Sequence, residues 1–69
     1  MLKRFHLERA KDMSGISGVG VVAFGVLFGD GKIALHWEGN HSSLNIYNSV
    51  DDLIYIHGHD GSTKIIWDD

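Results

Sequence analysis

A chain of 69 residues makes one domain, spanning 1–69, and a domain this small buries only about 60% of the surface its unfolded form exposes, so its core is thin. It contains no cysteine, which removes disulfides as reinforcement, thiols as nucleophiles and cysteine-ligated zinc, and leaves metal or self-association as the remaining supports. Six basic against nine acidic side chains give a net charge of −3, which argues against nucleic acid as a partner, because phosphate-backbone binding draws on clustered Lys and Arg.

At 43% hydrophobic and 22% charged residues, the composition is that of a folded domain rather than a disordered tail. The first residues, Met1 to Arg9, alternate polar and apolar types instead of forming a signal-peptide core. No apolar run approaches the roughly 18 residues of a membrane span. A cytoplasmic protein without membrane contact is expected. Its five histidines would carry the formal charge from −3 to +2 as pH falls through about 6.5, so solubility should depend on pH.

The alternation of Arg4, His6 and Glu8 with Phe5 and Leu7 predicts a half-buried first strand. Asp12 to Gly20 follows, with glycines at 15, 18 and 20, and reads as a loop whose backbone can take positive φ. Asp30-Gly31 between two apolar runs predicts a hairpin. A two-residue loop there pairs Phe28 with Ile33, Val26 with Leu35 and Phe24 with Trp37 on a core face. Leu27 with Ala34, Gly25 with His36 and Ala23 with Glu38 then form a face of smaller residues, open to another element or chain. A three-residue loop that includes Gly29 changes these pairings. Ser43 to Asn48 predicts a fourth strand with Leu44 and Ile46 inward and Asn45 and Tyr47 outward. Ser49 then caps a short helix, with Asp51 and Asp52 at its positive end, Val50, Leu53, Ile54 and His57 on one stripe, and Gly58 just beyond its C-terminus. Thr63 to Trp67 resumes a strand, Ile65 and Trp67 on one side and Lys64 and Ile66 on the other. The order is ββββαβ, an α+β fold with a small twisted antiparallel sheet, SH3-like or a partly open barrel.

The combination Lys3-Arg4-Phe5-His6-Leu7, Ser14-Gly15-Ile16-Ser17-Gly18, Gly20-Val21-Val22-Ala23, Phe28 to Gly31, Trp37, Ile46-Tyr47-Asn48-Ser49 and Ile56-His57-Gly58-His59-Asp60-Gly61 with Trp67 resembles a group of short proteins of phages, prophages and some prokaryotic genomes. The likeness covers nearly the whole chain. It implies a genomic setting, that of an accessory product of the kind that modulates host proteins or host defence, and no activity. An acidic residue is common in that group at the position of Phe24. The aromatic here favours a contact surface, at an end of the sheet shared with Trp37.

Four constellations could carry function. His57, His59 and Asp60, joined by His36 or His41, are candidate metal ligands, but three ligands in four residues are crowded. The plainer reading is a turn, with His57 near the last helix carbonyls and Asp60 bonded to backbone between Gly58 and Gly61. Ser14, Gly15, Ser17 and Gly18 offer backbone N–H groups to an anion, although the loop lacks the Gly-Lys-Ser/Thr ending of a P-loop. His57 with Asp60 or Ser62 could be imagined as a base and its partners. Without a nucleophile motif or room for a deep pocket, no enzyme and no cofactor are expected. Finally, Phe24, Trp37, Tyr47, Tyr55 and Trp67 are more aromatic surface than so small a domain hides.

The resulting expectation is a non-catalytic binding module that modulates or inhibits a host protein, with a host-defence system such as CRISPR as the specific case, working as a homo-oligomer, most simply a dimer. The expected binding residues are Phe24, Trp37, Tyr47, His57, His59, Asp60, Ser14, Gly15, Ser17 and Gly18. The alternatives are an oligomeric sponge for a small anionic or nucleotide ligand and a histidine-based metal-binding protein.

Overall fold

The computed structural model describes residues 2–10, 19–39, 42–58 and 61–69. Five strands, β1 (Lys3–Arg9), β2 (Gly20–Leu27), β3 (Ile33–Trp37), β4 (Leu44–Tyr47) and β5 (Thr63–Trp67), form one antiparallel sheet in the order β4-β3-β2-β1-β5, and α1 (Val50–His57) connects its two edge strands. The α+β class and the ββββαβ order are as expected. The sheet is open, with β4 and β5 at opposite edges.

One face of the sheet carries the core. Phe5 and Leu7 of β1, Val22 and Ala23 of β2, and Ile33 and Leu35 of β3 are fully buried, together with Leu53, the buried residue of the helix. Burying two successive residues of β2 requires a break in alternation, and the register supplies one: Leu7 pairs with Ala23 but Glu8 with Val21, leaving Val22 as an inserted bulge residue. Trp37, Tyr47, Val50 and Ile65 close the margin of this core.

The β2–β3 hairpin differs from the two-residue loop. Phe28 N–H donates to the Lys32 carbonyl at 2.9 Å and Gly31 N–H to the Phe28 carbonyl at 3.0 Å, so the loop is Gly29-Asp30-Gly31, and Gly31 adopts φ +95°, a conformation that L side chains disfavour. Asp30 Oδ1 also accepts from Lys32 N–H at 3.1 Å. The extra loop residue shifts the pairing by one, to Leu27↔Ile33, Gly25↔Leu35 and Ala23↔Trp37. A shift of one exchanges the faces of a strand. Phe24 and Val26 thereby leave the core face, and the small residues Ala23 and Gly25 enter it. Phe24 pairs with His36, on the face opposite Trp37.

The same parity corrects β4. Ile46 stands opposite Ala34 and Leu44 opposite His36, so both point away from the core, while Tyr47 turns in toward the helix. In α1, Ser49 Oγ accepts from Asp52 N–H at 3.1 Å, the cap expected from sequence. Ile54 lies beside the stripe but is exposed. Gly58 follows the helix as its C-cap, right-handed at φ −68°, and a Cβ there would meet the Ile54 carbonyl oxygen at 2.5 Å. The Gly58 carbonyl accepts from Gly61 and Thr63 N–H, which carries the chain into β5.

Candidate functional site

Strand alternation gives the sheet a second face, and no described element covers it. Its side chains fall into rows fixed by register. One row runs Ile66, His6, Phe24, His36, Leu44 across all five strands, and the next runs Arg4, Val26, Ala34, Ile46. Phe24 is 49% exposed, Leu44 65% and Ile46 63%, and Val21 and Ile66 are also exposed. Phe24, Val26, Ala34, Ile46 and Leu44 adjoin one another across β2, β3 and β4, and such a patch on an uncovered face is the signature of a contact surface, whereas scattered exposed hydrophobics are ordinary.

Charged pairs rim and punctuate the band. Arg4 grips Asp69 with two nitrogens, Nε at 2.9 Å and Nη2 at 2.6 Å, and its backbone N–H donates to the same carboxylate. This holds the Asp69 carboxyl far below the usual carboxylate range. His6 is held from both sides, Nε2 at 2.9 Å from Glu8 and Nδ1 at 3.0 Å from Asp68. These hydrogen bonds, from Glu8 first and then Asp68, raise its pKa above the ordinary histidine value. His36 Nδ1 lies 3.0 Å from Glu38. A depression of about 270 Å³ is lined by Arg4, Phe24 and Asp68 together with Phe5 and Gly25.

Two of the other expected aromatics, Trp37 and Tyr47, come together on the core side. Trp37 and Tyr47 both contact the His57 ring edge-on, at centroid distances of 4.8 and 5.6 Å, and Tyr47 Oη lies 2.6 Å from His57 Nε2. His57 therefore ties the helix end to β4 through Tyr47. Burial raises the Tyr47 pKa above the ordinary phenol value. Arg9 packs its guanidinium over Trp37 at 5.6 Å while Nε donates to Thr63 Oγ1 at 2.9 Å. His36 projects from the opposite face of the sheet, so it does not join His57 in a common ligand set. Among the described residues no group of three or more His, Cys, Asp or Glu side chains is placed to hold a metal ion. Ser14, Gly15, Ser17, Gly18, His41, His59 and Asp60 lie outside the described residues.

At the far end of β1 a cleft of about 240 Å³ is lined by Glu8, Arg9, Ala10, Gly20, Ser62 and Lys64. Among the described residues no helix is long and apolar enough to cross a membrane. Of the expected binding residues that are described, Phe24, Trp37, Tyr47 and His57, Phe24 alone reaches the uncovered face. Val26, Leu44, Ile46 and Ile66 were missed as surface residues because a two-residue loop and an inward Leu44 assign the first three to the core; Gly29 and Gly31 flanking Asp30 were the signal for the longer loop.

A family model described as Acb5 phage protein matches residues 2–69. The chain belongs to this family. It is thus a phage accessory protein, as the resemblance in its motifs implied. No curated protein and no solved structure matches it.

Proposed function

We propose that this Acb5-family chain is a non-catalytic binding module that docks a host protein on the uncovered face of its sheet and so modulates or inhibits that protein, with a host-defence component such as a CRISPR effector as the specific case. The supporting observation is the apolar patch in which Phe24, Val26, Ala34, Ile46 and Leu44 adjoin one another by register, with the His36–Glu38 pair set into it and Arg4–Asp69 and Glu8–His6–Asp68 along the side toward Ile66. An apolar centre inside a polar rim is the anatomy of a protein interface, and an aromatic near its middle is a usual anchor. Phage membership supports a host protein as the occupant.

Self-association, most simply as a dimer, belongs to the same reading, because a thin core and open edges favour a second copy. Light scattering at micromolar concentration tests it, and a monomer would contradict it. The test of docking is a pair of lysine substitutions on opposite sides of the molecule. Phe24→Lys should abolish inhibition of the host target at unchanged thermal stability, whereas Tyr55→Lys, on a helix residue 91% exposed, should leave inhibition intact.

A second reading, a sponge for a small anionic ligand, draws on the cleft lined by Lys64, Arg9 and Ser62 together with Glu8, Ala10 and Gly20, the last two being residues between which the glycine-rich segment lies in sequence. Thermal shift separates the two readings. A sponge gains several degrees with its nucleotide, and a protein inhibitor gains none.

A further inference from the structure

The two edges of the sheet are not alike. Antiparallel ladders alternate hydrogen-bonded and non-hydrogen-bonded pairs, so one bond fixes which neighbour each residue addresses. Trp37 N–H donates to the Ser43 carbonyl at 2.9 Å, and the register continues through Leu35↔Asn45 and Ile33↔Tyr47. Ser43, Asn45 and Tyr47 therefore bond to β3. Leu44 and Ile46, between them, turn their N–H and C=O groups outward to the open edge, where among the described residues nothing bonds to them.

Natural sheets protect such edges with charges, proline or bulges. The β5 edge follows that rule, with Lys64 in the strand and Asp68 and Asp69 after it. The β4 edge does not. Leu44-Asn45-Ile46-Tyr47 holds no charge and no proline, and its flanks, Ser42, Ser43, Asn48 and Ser49, are neutral as well. In a chain of net charge −3, this uncharged edge lets identical molecules meet without like charges in contact.

We propose that two copies pair β4 with β4, antiparallel about a twofold axis at Asn45, making one continuous ten-stranded sheet; the inference rests on the self-association proposed above. Centring the axis on Asn45 pairs Leu44 with Ile46 of the partner subunit, and it is the register that engages the outward groups of both residues entirely within the strand. Leu44 and Ile46 of the two copies then meet on the outer face. They join the two apolar bands into one.

Because the protein lacks cysteine, single introduced thiols report the register. In Asn45→Cys the two thiols face each other across a non-hydrogen-bonded pair, with Cα atoms about 4.5 Å apart and within disulfide reach. In Leu44→Cys they are diagonal, roughly 8 Å apart and beyond it. Mild oxidation should cross-link Asn45→Cys into a covalent dimer and leave Leu44→Cys uncross-linked. A dimer by light scattering in which Asn45→Cys stays uncross-linked would overturn the edge pairing while leaving self-association standing, and a monomer would overturn both. Ile46→Pro supplies an independent check, since it deletes an outward N–H and spares the ladder to β3. It should yield a folded monomer by circular dichroism and light scattering, and a folded variant that remains dimeric would overturn the proposal.

Discussion

Phe5 sets the shape of the core because its ring fills the space above Gly25. A Cβ built on Gly25 would collide with the tip of that ring, which is fully buried and set edge-on against Trp67 at 5.3 Å. Gly25→Ala should therefore destabilise by about 1–3 kcal/mol despite adding a single methyl group, measurable by chemical denaturation. On the opposite face, His6 sits between Glu8 and Asp68, which favour its charged form and raise its folded pKa. A raised histidine contributes stability that is complete below its unfolded value of about 6.5 and lost as pH rises through the higher folded value. The thermal midpoint should show a downward component across that window that disappears in His6→Gln; an identical pH profile in the variant would refute the assignment.

At the scale of elements, the first strand, the helix and the last strand were legible because each carries its own local signal: Phe5 and Leu7 alternating with charges, Ser49 capping Asp52, and Ile65 and Trp67 two apart. The faces of β2 and β4 were not. Apolar residues occupy both parities of Val21 to Phe28, so periodicity alone cannot choose the core side, and the choice fell to loop length. One glycine, Gly29, joins Asp30 and Gly31 in the loop and so exchanges Phe24 and Val26 for Ala23 and Gly25. In β4 the hydrophobicity of Leu44 and Ile46 suggested burial, but Tyr47 takes the inward place because it meets His57 there. The helix, two turns long, is too short to persist alone and depends on its contact with the sheet. Leu53→Ala removes its buried anchor and should cost about 2–5 kcal/mol, read as a lowered denaturation midpoint.

Among the described residues the molecule is a two-sided sheet with elements packed on one side. The helix and the Trp37–Tyr47–His57 cluster close the core side, while the other side presents large apolar residues whose neighbours are charge pairs already formed within the chain. Nothing in the folding of the monomer requires that band, since Phe24, Leu44 and Ile46 are about half or more exposed. In the function proposed above, a host partner covers it. The most direct measurement is efficiency of plating on a host where the phage depends on this gene, with the allele replaced by Phe24→Lys or by Tyr55→Lys. The account predicts that Phe24→Lys plates like the deletion while Tyr55→Lys plates like the wild type; full plating by a folded Phe24→Lys protein would contradict it.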